Sequence, residues 1–244
     1  CTEKSHNNFC GKMSNELIGI VGGLGPLASA EFLKTIYEQC HPEREQETPR
    51  VVLYSDPTFP DRTDASLNGR EDELLTRLVD VLTQLQRLGA SQFVICCITI
   101  HHLLPRVPSD LRSRIVSLLD VIFDAVAASH KRHLLLCTIG ARQLRLYEKH
   151  ERWRDTAGLF VLPDELDQPE VHRLIYRVKQ NRNLTGEYDL VESLLDKYGV
   201  NSFIAGCTEF HLFSKHFGAR CIDPLTELAK DLAHAEAAVG ARKQ

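Results

Sequence analysis

The sequence lacks several features that would each indicate a particular class of protein. No apolar run approaches the roughly 20 residues that a helix needs to cross a bilayer. No excess of positive charge is present, since the formal net charge of the 244 residues is −4. We therefore expect neither nucleic-acid nor membrane partners. With 43% hydrophobic and 25% charged residues, the composition is that of a globular protein with a sizeable core.

The eight cysteines show no CxxC spacing, the usual signature of zinc and redox motifs. A metal site would have to use the adjacent pairs Cys96-Cys97 and His101-His102. Neighbouring side chains of a strand point to opposite faces of the sheet, so these pairs cannot converge on one ion, and we expect no metal. Residues 1–14 are polar and lack the apolar core of a signal peptide. We expect them to form a disordered tail on a reduced, cytoplasmic protein.

Segments typical of strands alternate with segments typical of helices along the chain. Apolar residues at helical spacing predict amphipathic helices at 71–89 and 170–180. Asp223 followed by Pro224 predicts the start of the last helix. The predicted strands cover residues 17–23, 51–57, 93–100, 115–119, 133–140, 159–163, 201–207 and 219–223. Alternation of this kind predicts an α/β fold with mostly parallel sheets.

A repeat appears when the chain is compared with itself at an offset of 110 residues. The segment LGASQFVICCITIHHL (88–103) then aligns with YGVNSFIAGCTEFHLF (198–213), and an amphipathic helix precedes each copy. The identities that argue for a repeat are Gly89 with Gly199, Phe93 with Phe203, Cys97 with Cys207, and His101 with His211. The repeat favours a duplication over coincidence.

The duplication predicts two pseudo-symmetric α/β domains with parallel sheets. We expect the N-terminal domain at 15–110 plus 212–244, with the C-terminal helix returning to it, and the second domain at 111–211. Open α/β sheets bind ligands beyond the carboxyl ends of their strands, and each repeated cysteine lies at such an end. The active site is therefore expected in the cleft between the domains.

Cys97 and Cys207 would face each other across this cleft, with Cys96 on the packing face. Alternation along strand 93–100 would put Thr99 and His101 on the same face as Cys97. Two facing thiols suit the removal of a proton from one face of a carbon atom and the return of a proton to the other. A helix that starts after Cys207 would favour its thiolate through the helix dipole. Buried structural cysteines and a disulfide are the competing interpretations.

Four motifs in order carry a resemblance to a known family. IGIVGGLGPLASAEFLKTI, PDRTD, CITIH and GCTE resemble the aspartate/glutamate racemase family, over about residues 17–228. The resemblance implies racemisation of an acidic amino acid, aspartate first and glutamate next, by one cysteine from each of two domains. It also implies a homodimer that needs no pyridoxal phosphate. The glutamate in GCTE, where histidine is the alternative, resembles the aspartate-racemase members.

Matched by position, Cys97 and Cys207 would be the two catalytic acid/bases. Arg62 would grip the side-chain carboxylate of the substrate with its guanidinium fork. Together with LLCTIG and IYRVKQ, the same motifs imply that substrate contacts come from Gly23, Leu24, Gly25, Arg62, Thr99, Thr138, Lys179, Thr208 and Glu209. Arg62 in a surface turn and Lys179 on a solvated helix face are the alternative interpretations.

One position departs from the family. Ile98 stands where members usually carry an asparagine that hydrogen-bonds the substrate, and isoleucine offers no hydrogen bond. If that loss limits catalysis, Ile98→Asn should raise activity. Two other functions stay open: another isomerase or a decarboxylase of the same superfamily, and a catalytically weak amino-acid-binding accessory protein.

Overall fold

The structure is a computed structural model that describes residues 16–180 and 185–240. The predicted tail at 1–14 lies outside the described residues. The strands are β1 (Leu17–Gly22), β2 (Arg50–Ser55), β3 (Ala90–Ile95), β4 (His133–Cys137), β5 (Phe160–Val161), β6 (Phe203–Gly206) and β7 (Cys221–Ile222). The helices are α1 (Pro26–Gln39), α2 (Arg62–Leu67), α3 (Glu71–Arg87), α4 (Ser109–Arg112), α5 (Leu118–Ser129), α6 (Ile139–Gln143), α7 (Trp153–Thr156), α8 (Gln168–Lys179), α9 (Thr185–Tyr198), α10 (His211–Phe217) and α11 (Pro224–Gly240).

Two parallel sheets with the same internal order confirm the predicted pseudo-symmetric α/β fold. The first sheet has the order β2-β1-β3, and the second has the order β5-β4-β6 with β7 added beside β6. The repeated glycines also match, because Gly89 after α3 and Gly199 after α9 both have positive φ, at 94° and 61°. Glycine is the residue that ends a helix in this conformation without strain.

The core that separates the sheets is built from both halves of the chain, meaning the half that carries the first sheet and the half that carries the second. Ile20 of β1, Leu135 of β4 and Ile204 of β6 belong to one buried cluster with α1, α5 and α11. Helix α11 packs against both α1 and α5. The division into domains at 15–110 plus 212–244 and 111–211 stays a prediction. In that division β7 belongs to the N-terminal domain but pairs with β6 in the sheet of the second domain.

The predicted strand at 93–100 is wrong beyond Ile95. The Cys96 N–H still donates to Val21 O at 2.9 Å, but the Cys97 N–H turns back to Ile95 O at 2.7 Å. A 3-10 helix then runs over Thr99–Arg106. Strand alternation therefore does not place Thr99 and His101 beside Cys97. The local sequence is apolar and rich in β-branched residues, and it gives no signal of the turn.

The predicted strand at 115–119 is also wrong. Ile115 makes only an isolated bridge with Phe93. The chain then enters α5, whose first turn is capped by Ser117, with the Asp120 N–H donating to its hydroxyl at 3.1 Å. A serine cap competes well with strand formation in a short apolar run. Within 16–180 and 185–240, no helix is long and apolar enough to span a membrane.

Ile98 lies in the central core. It is 1% exposed and packs in the buried cluster that also contains Phe32, Leu118 and Leu135. An asparagine here would bury an amide among apolar side chains, and the earlier expectation of raised activity is replaced by one of lost stability.

Ile98→Asn should lower the free energy of unfolding by about 3 kcal/mol, from lost apolar burial and an unpaired amide. Ile98→Val is the matched control and should cost about 1 kcal/mol. Urea denaturation followed by circular dichroism measures both. An Ile98→Asn protein as stable as the parent and more active would instead mean that position 98 faces the substrate.

Candidate functional site

The two repeated cysteines sit just beyond the carboxyl ends of equivalent strands. Cys97 follows β3 and Cys207 follows β6, and each is followed by a 3-10 segment. Both are free thiols, 6% and 5% exposed. Cys97 packs in the core cluster beside α3, and Cys207 packs in the cluster beside α8 and α9. Each thiol is therefore held by the hydrophobic core of its own half.

Side chains from the two halves meet beside these thiols. Thr99 Oγ1 and Thr138 Oγ1 share a hydrogen bond at 3.1 Å. Thr138 also caps α6, because its hydroxyl accepts from the Ala141 N–H at 3.1 Å. The Thr208 hydroxyl donates to Cys96 O at 3.2 Å. Three of the threonines predicted from the motifs are thus buried where the halves join.

Glu209 controls the electrostatics of Cys207. The Cys207 thiol donates to Glu209 Oε2 at 2.7 Å. Burial raises the pKa of Cys207 well above its ordinary value, and the charges of Glu209 and Cys97 raise it further. A 3-10 segment does begin at Thr208, and the prediction that a helix dipole favours the Cys207 thiolate stays a prediction, while burial and the carboxylate raise the pKa of the thiol.

Arg62 is buried where the two halves meet, at the place expected for the cleft, which contradicts the surface-turn interpretation. It opens α2 and is 8% exposed. Its Nη1 donates to Pro60 O at 3.1 Å and its Nη2 donates to Leu24 O. Burial alone would lower the pKa of Arg62, but the neighbouring Cys97, Asp61 and Glu209 raise it. The guanidinium therefore supplies a fixed positive charge on the Cys97 side of the cleft.

The glycine turn after β1 fits closely around the Glu209 carboxylate. A Cβ atom at Gly25 would lie 2.3 Å from Glu209 Oε1, so a larger residue would displace the carboxylate. The Gly23 N–H donates to Ser29 Oγ at 3.3 Å, and Leu24 provides the carbonyl that binds Arg62. The turn thus brings Leu24 into contact with Arg62 and Gly25 into contact with Glu209.

Two buried polar atoms in the cleft have no hydrogen-bond partner among the described residues. They are the Nε of Arg62, a donor, and the Oε1 of Glu209, an acceptor. Buried polar groups are nearly always paired, and an exception needs an explanation. A ligand that carries both a carboxylate and an ammonium group would pair both atoms.

Lys179 ends α8 and borders the cleft from the second half. Its Nζ lies 4.4 Å from the centre of the Tyr176 ring. It is close enough to Cys207 to counteract part of the rise in the pKa of that thiol. The solvated-helix interpretation therefore fits Lys179 less well than a place at the edge of the site.

Sequence reasoning missed the tyrosines around the site. Tyr147 is fully buried and its hydroxyl donates to Gly206 O at 3.0 Å, next to Cys207. Tyr176 donates to Asp61 Oδ2 at 2.6 Å. The partners lie 59 and 115 residues apart in the chain, so no local pattern could have indicated them.

His101 supports the backbone of Cys97. The Leu118 N–H donates to its Nε2 at 3.2 Å, which leaves Nδ1–H to donate to Cys97 O at 2.9 Å. Burial lowers the pKa of His101 to about 4, so the ring is neutral. No group of three or more His, Cys, Asp or Glu side chains suited to a metal occurs within the part of the chain that the structure describes.

The chain is similar to known racemases in sequence and in structure. The family described as Asp/Glu/Hydantoin racemase matches residues 21–232. An aspartate racemase from Picrophilus torridus is 25% identical, with a TM-score of 0.79 over 91% of this chain and 95% of that chain. An aspartate racemase homologue from Pyrococcus horikoshii OT3 is 21% identical, with a TM-score of 0.68 over 91% of this chain and 100% of that chain. A glutamate racemase from Campylobacter jejuni subsp. jejuni is 17% identical, with a TM-score of 0.54 over 93% and 84% of the two chains.

Glu209→Gln should lower the pKa of Cys207, because a neutral amide replaces the carboxylate that disfavours the thiolate. The thiolate fraction at pH 8 then rises, and iodoacetamide should modify Cys207 faster, by about tenfold for each unit that the pKa falls. Mass spectrometry of the labelled peptides measures this rate, with Cys97 read in the same digest.

Glu170→Gln is the control variant for this experiment, because Glu170 pairs with Arg173 and Arg177 on α8. It should leave the Cys207 rate unchanged. Slower or equal modification of Cys207 in Glu209→Gln would contradict the electrostatic role of Glu209.

Proposed function

This chain belongs to the Asp/Glu/hydantoin racemase family and is an amino-acid racemase, and we propose that its substrate is an acidic amino acid, aspartate before glutamate. One observation carries the proposal. Two free, buried thiols lie at equivalent positions of two similar halves, and a buried guanidinium lies beside one of them, Cys97. The likeness to the Picrophilus torridus aspartate racemase supports the choice of aspartate.

In the proposed reaction, Cys97 and Cys207 act on opposite faces of the α-carbon. One thiolate removes the α-proton, and the thiol on the other face returns a proton, which inverts the centre. The α-proton is a far weaker acid than a thiol, so the base must be dry and close, and the developing charge must be stabilised. Burial of both cysteines meets the first requirement. The hydroxyls of Thr99 and Thr138 are the donors proposed for the substrate α-carboxylate.

The charges around the thiols set the proposed starting state. Arg62 is adjacent to Cys97, whereas Glu209 accepts a hydrogen bond from Cys207 and raises the pKa of that thiol. In the proposal Cys207 therefore starts as the acid, Cys97 is the partner that acts as the base, and each turnover exchanges these roles.

Arg62 and Glu209 are the proposed readers of substrate charge. The unpartnered Nε of Arg62 would donate to the side-chain carboxylate, and the unpartnered Oε1 of Glu209 would accept from the ammonium group. A neutral hydantoin ring would leave the buried Arg62 charge without a carboxylate partner, which is unfavourable. This charge complement favours an acidic amino acid over the uncharged substrates of the wider family. Gly23, Leu24, Gly25, Lys179 and Thr208 would complete the binding site.

The proposal also includes features that rest on the family resemblance alone. They are a homodimer and production of a D-amino acid without pyridoxal phosphate. A cytoplasmic location and independence of a metal are proposed from the sequence analysis instead. A chiral assay across the acidic amino acids, together with equilibrium dialysis against aspartate, separates a racemase from an accessory protein that only binds its ligand.

Cys97→Ser and Cys207→Ser should each abolish racemisation of aspartate, because a serine hydroxyl is too weak an acid to replace a thiol at neutral pH. The remaining thiol still faces one side of the α-carbon. In heavy water each variant should therefore exchange the α-hydrogen of one enantiomer only, and the two variants should prefer opposite enantiomers. Proton NMR of L- and D-aspartate measures the exchange.

Cys221→Ser is the matched control, because Cys221 lies on β7 away from the motifs, and it should racemise at the parent rate. The two-thiol mechanism fails if both variants prefer the same enantiomer or if either remains a full racemase.

Arg62→Ala should lower kcat/KM for aspartate by about a hundredfold, because a charge-assisted contact worth about 3 kcal/mol is lost. Arg220→Ala removes an exposed arginine that pairs with Glu192 and should change kcat/KM little. Steady-state kinetics with both enantiomers measures the effect. If Arg62→Ala keeps its kinetics, Lys179 becomes the better candidate for reading the side-chain carboxylate.

A further inference from the structure

The first turn of α2 is anchored by a carboxylate that serves two partners. Asp61 Oδ1 accepts from the Asp64 N–H at 3.0 Å and caps the helix that begins with Arg62. Asp61 Oδ2 accepts from the Tyr176 hydroxyl at 2.6 Å. Tyr176 lies on α8, in the second half of the chain. One carboxylate therefore joins the start of the Arg62 helix to the opposite side of the cleft.

The Asp61 carboxylate that accepts this hydrogen bond stays ionised over the neutral pH range. Burial would raise the pKa of Asp61, but the Tyr176 hydroxyl, the Asp64 N–H, Lys179 and Arg62 together hold it below its ordinary value. Burial and the Asp61 carboxylate raise the pKa of Tyr176. The pair is thus a phenol donating to a carboxylate, the stronger class of hydrogen bond.

A second contact presses the same turn against the second half. A Cβ atom at Gly140 would lie 2.8 Å from Thr63 Oγ1 and 3.1 Å from Thr63 Cα. Thr63 therefore packs directly on the backbone of α6. Arg62 lies between two residues that are both fixed by the second half, while its guanidinium reaches back to Leu24 O of the first half. The direction of the guanidinium depends on both attachments.

We propose that Tyr176 is a positioning residue for Arg62: its hydroxyl, acting through Asp61, holds the guanidinium at the angle that reads the substrate carboxylate. The substrate part of this inference rests on the proposed function. The geometric part does not, because the position of Arg62 can be measured without any substrate. Tyr176 also carries Lys179 over its ring, so one side chain aligns both basic groups.

Tyr176→Phe isolates the hydroxyl, because the ring under Lys179 is kept. The chain supplies a matched control in Tyr198→Phe, since the Tyr198 hydroxyl donates to Asp167 Oδ2 at the same 2.6 Å but lies away from the cleft residues. Succinate, a dicarboxylate without an amino group, is the binding probe. Tyr176→Phe should raise the Kd of succinate and the KM of aspartate about tenfold, with kcat nearly unchanged.

If the role of Tyr176 were purely structural, Tyr176→Phe would change kcat, KM and thermal stability together. Tyr198→Phe should leave the succinate Kd at the parent value. The proposal is overturned if the two variants have the same succinate Kd, or if Tyr176→Phe loses kcat rather than KM.

Phenylglyoxal labelling reads the position of Arg62 without substrate. Arg62 is 8% exposed, so it should react slowly in the parent protein and several times faster in Tyr176→Phe, but not in Tyr198→Phe. The exposed Arg220 in the same digest gives the reference rate. Unchanged labelling of Arg62 would overturn the positioning role. If the parent binds no succinate, the proposed acidic substrate is wrong, and the labelling still decides what Tyr176 does.

A double-variant cycle tests whether Tyr176 acts through Arg62. If it does, adding Tyr176→Phe to Arg62→Ala should weaken succinate binding no further than Arg62→Ala alone. Independent, multiplying losses would mean that Tyr176 acts elsewhere and would overturn the proposal.

Discussion

The fold depends on burying two opposite charges where its two halves meet. Arg62 and Glu209 are 8% and 3% exposed, and isolated charges at such depth are strongly unfavourable. They are tolerated because each attracts the other and because backbone carbonyls and the Cys207 thiol supply hydrogen bonds. The glycine turn at 23–25 and the capped start of α2 are required by this arrangement, since they bring the backbone close to both charges.

The backbone of the molecule is nearly symmetric, but its charges are not. The sheet orders β2-β1-β3 and β5-β4-β6 correspond, and both cysteines follow the third strand of their set. A guanidinium lies beside one thiol and a carboxylate beside the other. The two thiols therefore have unlike electrostatic surroundings, although the backbone around them is nearly the same.

The sequence predicts the parts of the site that local patterns and the repeat carry. The strands around the cysteines, the helix at Asp223-Pro224 and the equivalence of Cys97 with Cys207 follow from periodicity and the 110-residue offset. The direction of the Ile98 side chain could not be predicted, because it depends on where β3 ends. The run of apolar residues gives no signal of that end. The burial of Arg62 could not be predicted either, because PDRTD is typical of an ordinary turn. The segment is covered by α8, which lies more than 100 residues further along the chain.

The depth of the thiols has a consequence for how often the molecule is open. At 5% and 6% exposure neither sulfur is accessible to an amino acid from solvent, so entry needs the halves to part. Parting them breaks the Thr99–Thr138, Thr208–Cys96 and Tyr176–Asp61 hydrogen bonds, while α11 stays packed on α1 and α5. Access to the thiols thus depends on opening the junction between the halves, and turnover is bounded by the frequency of that opening as well as by the chemistry.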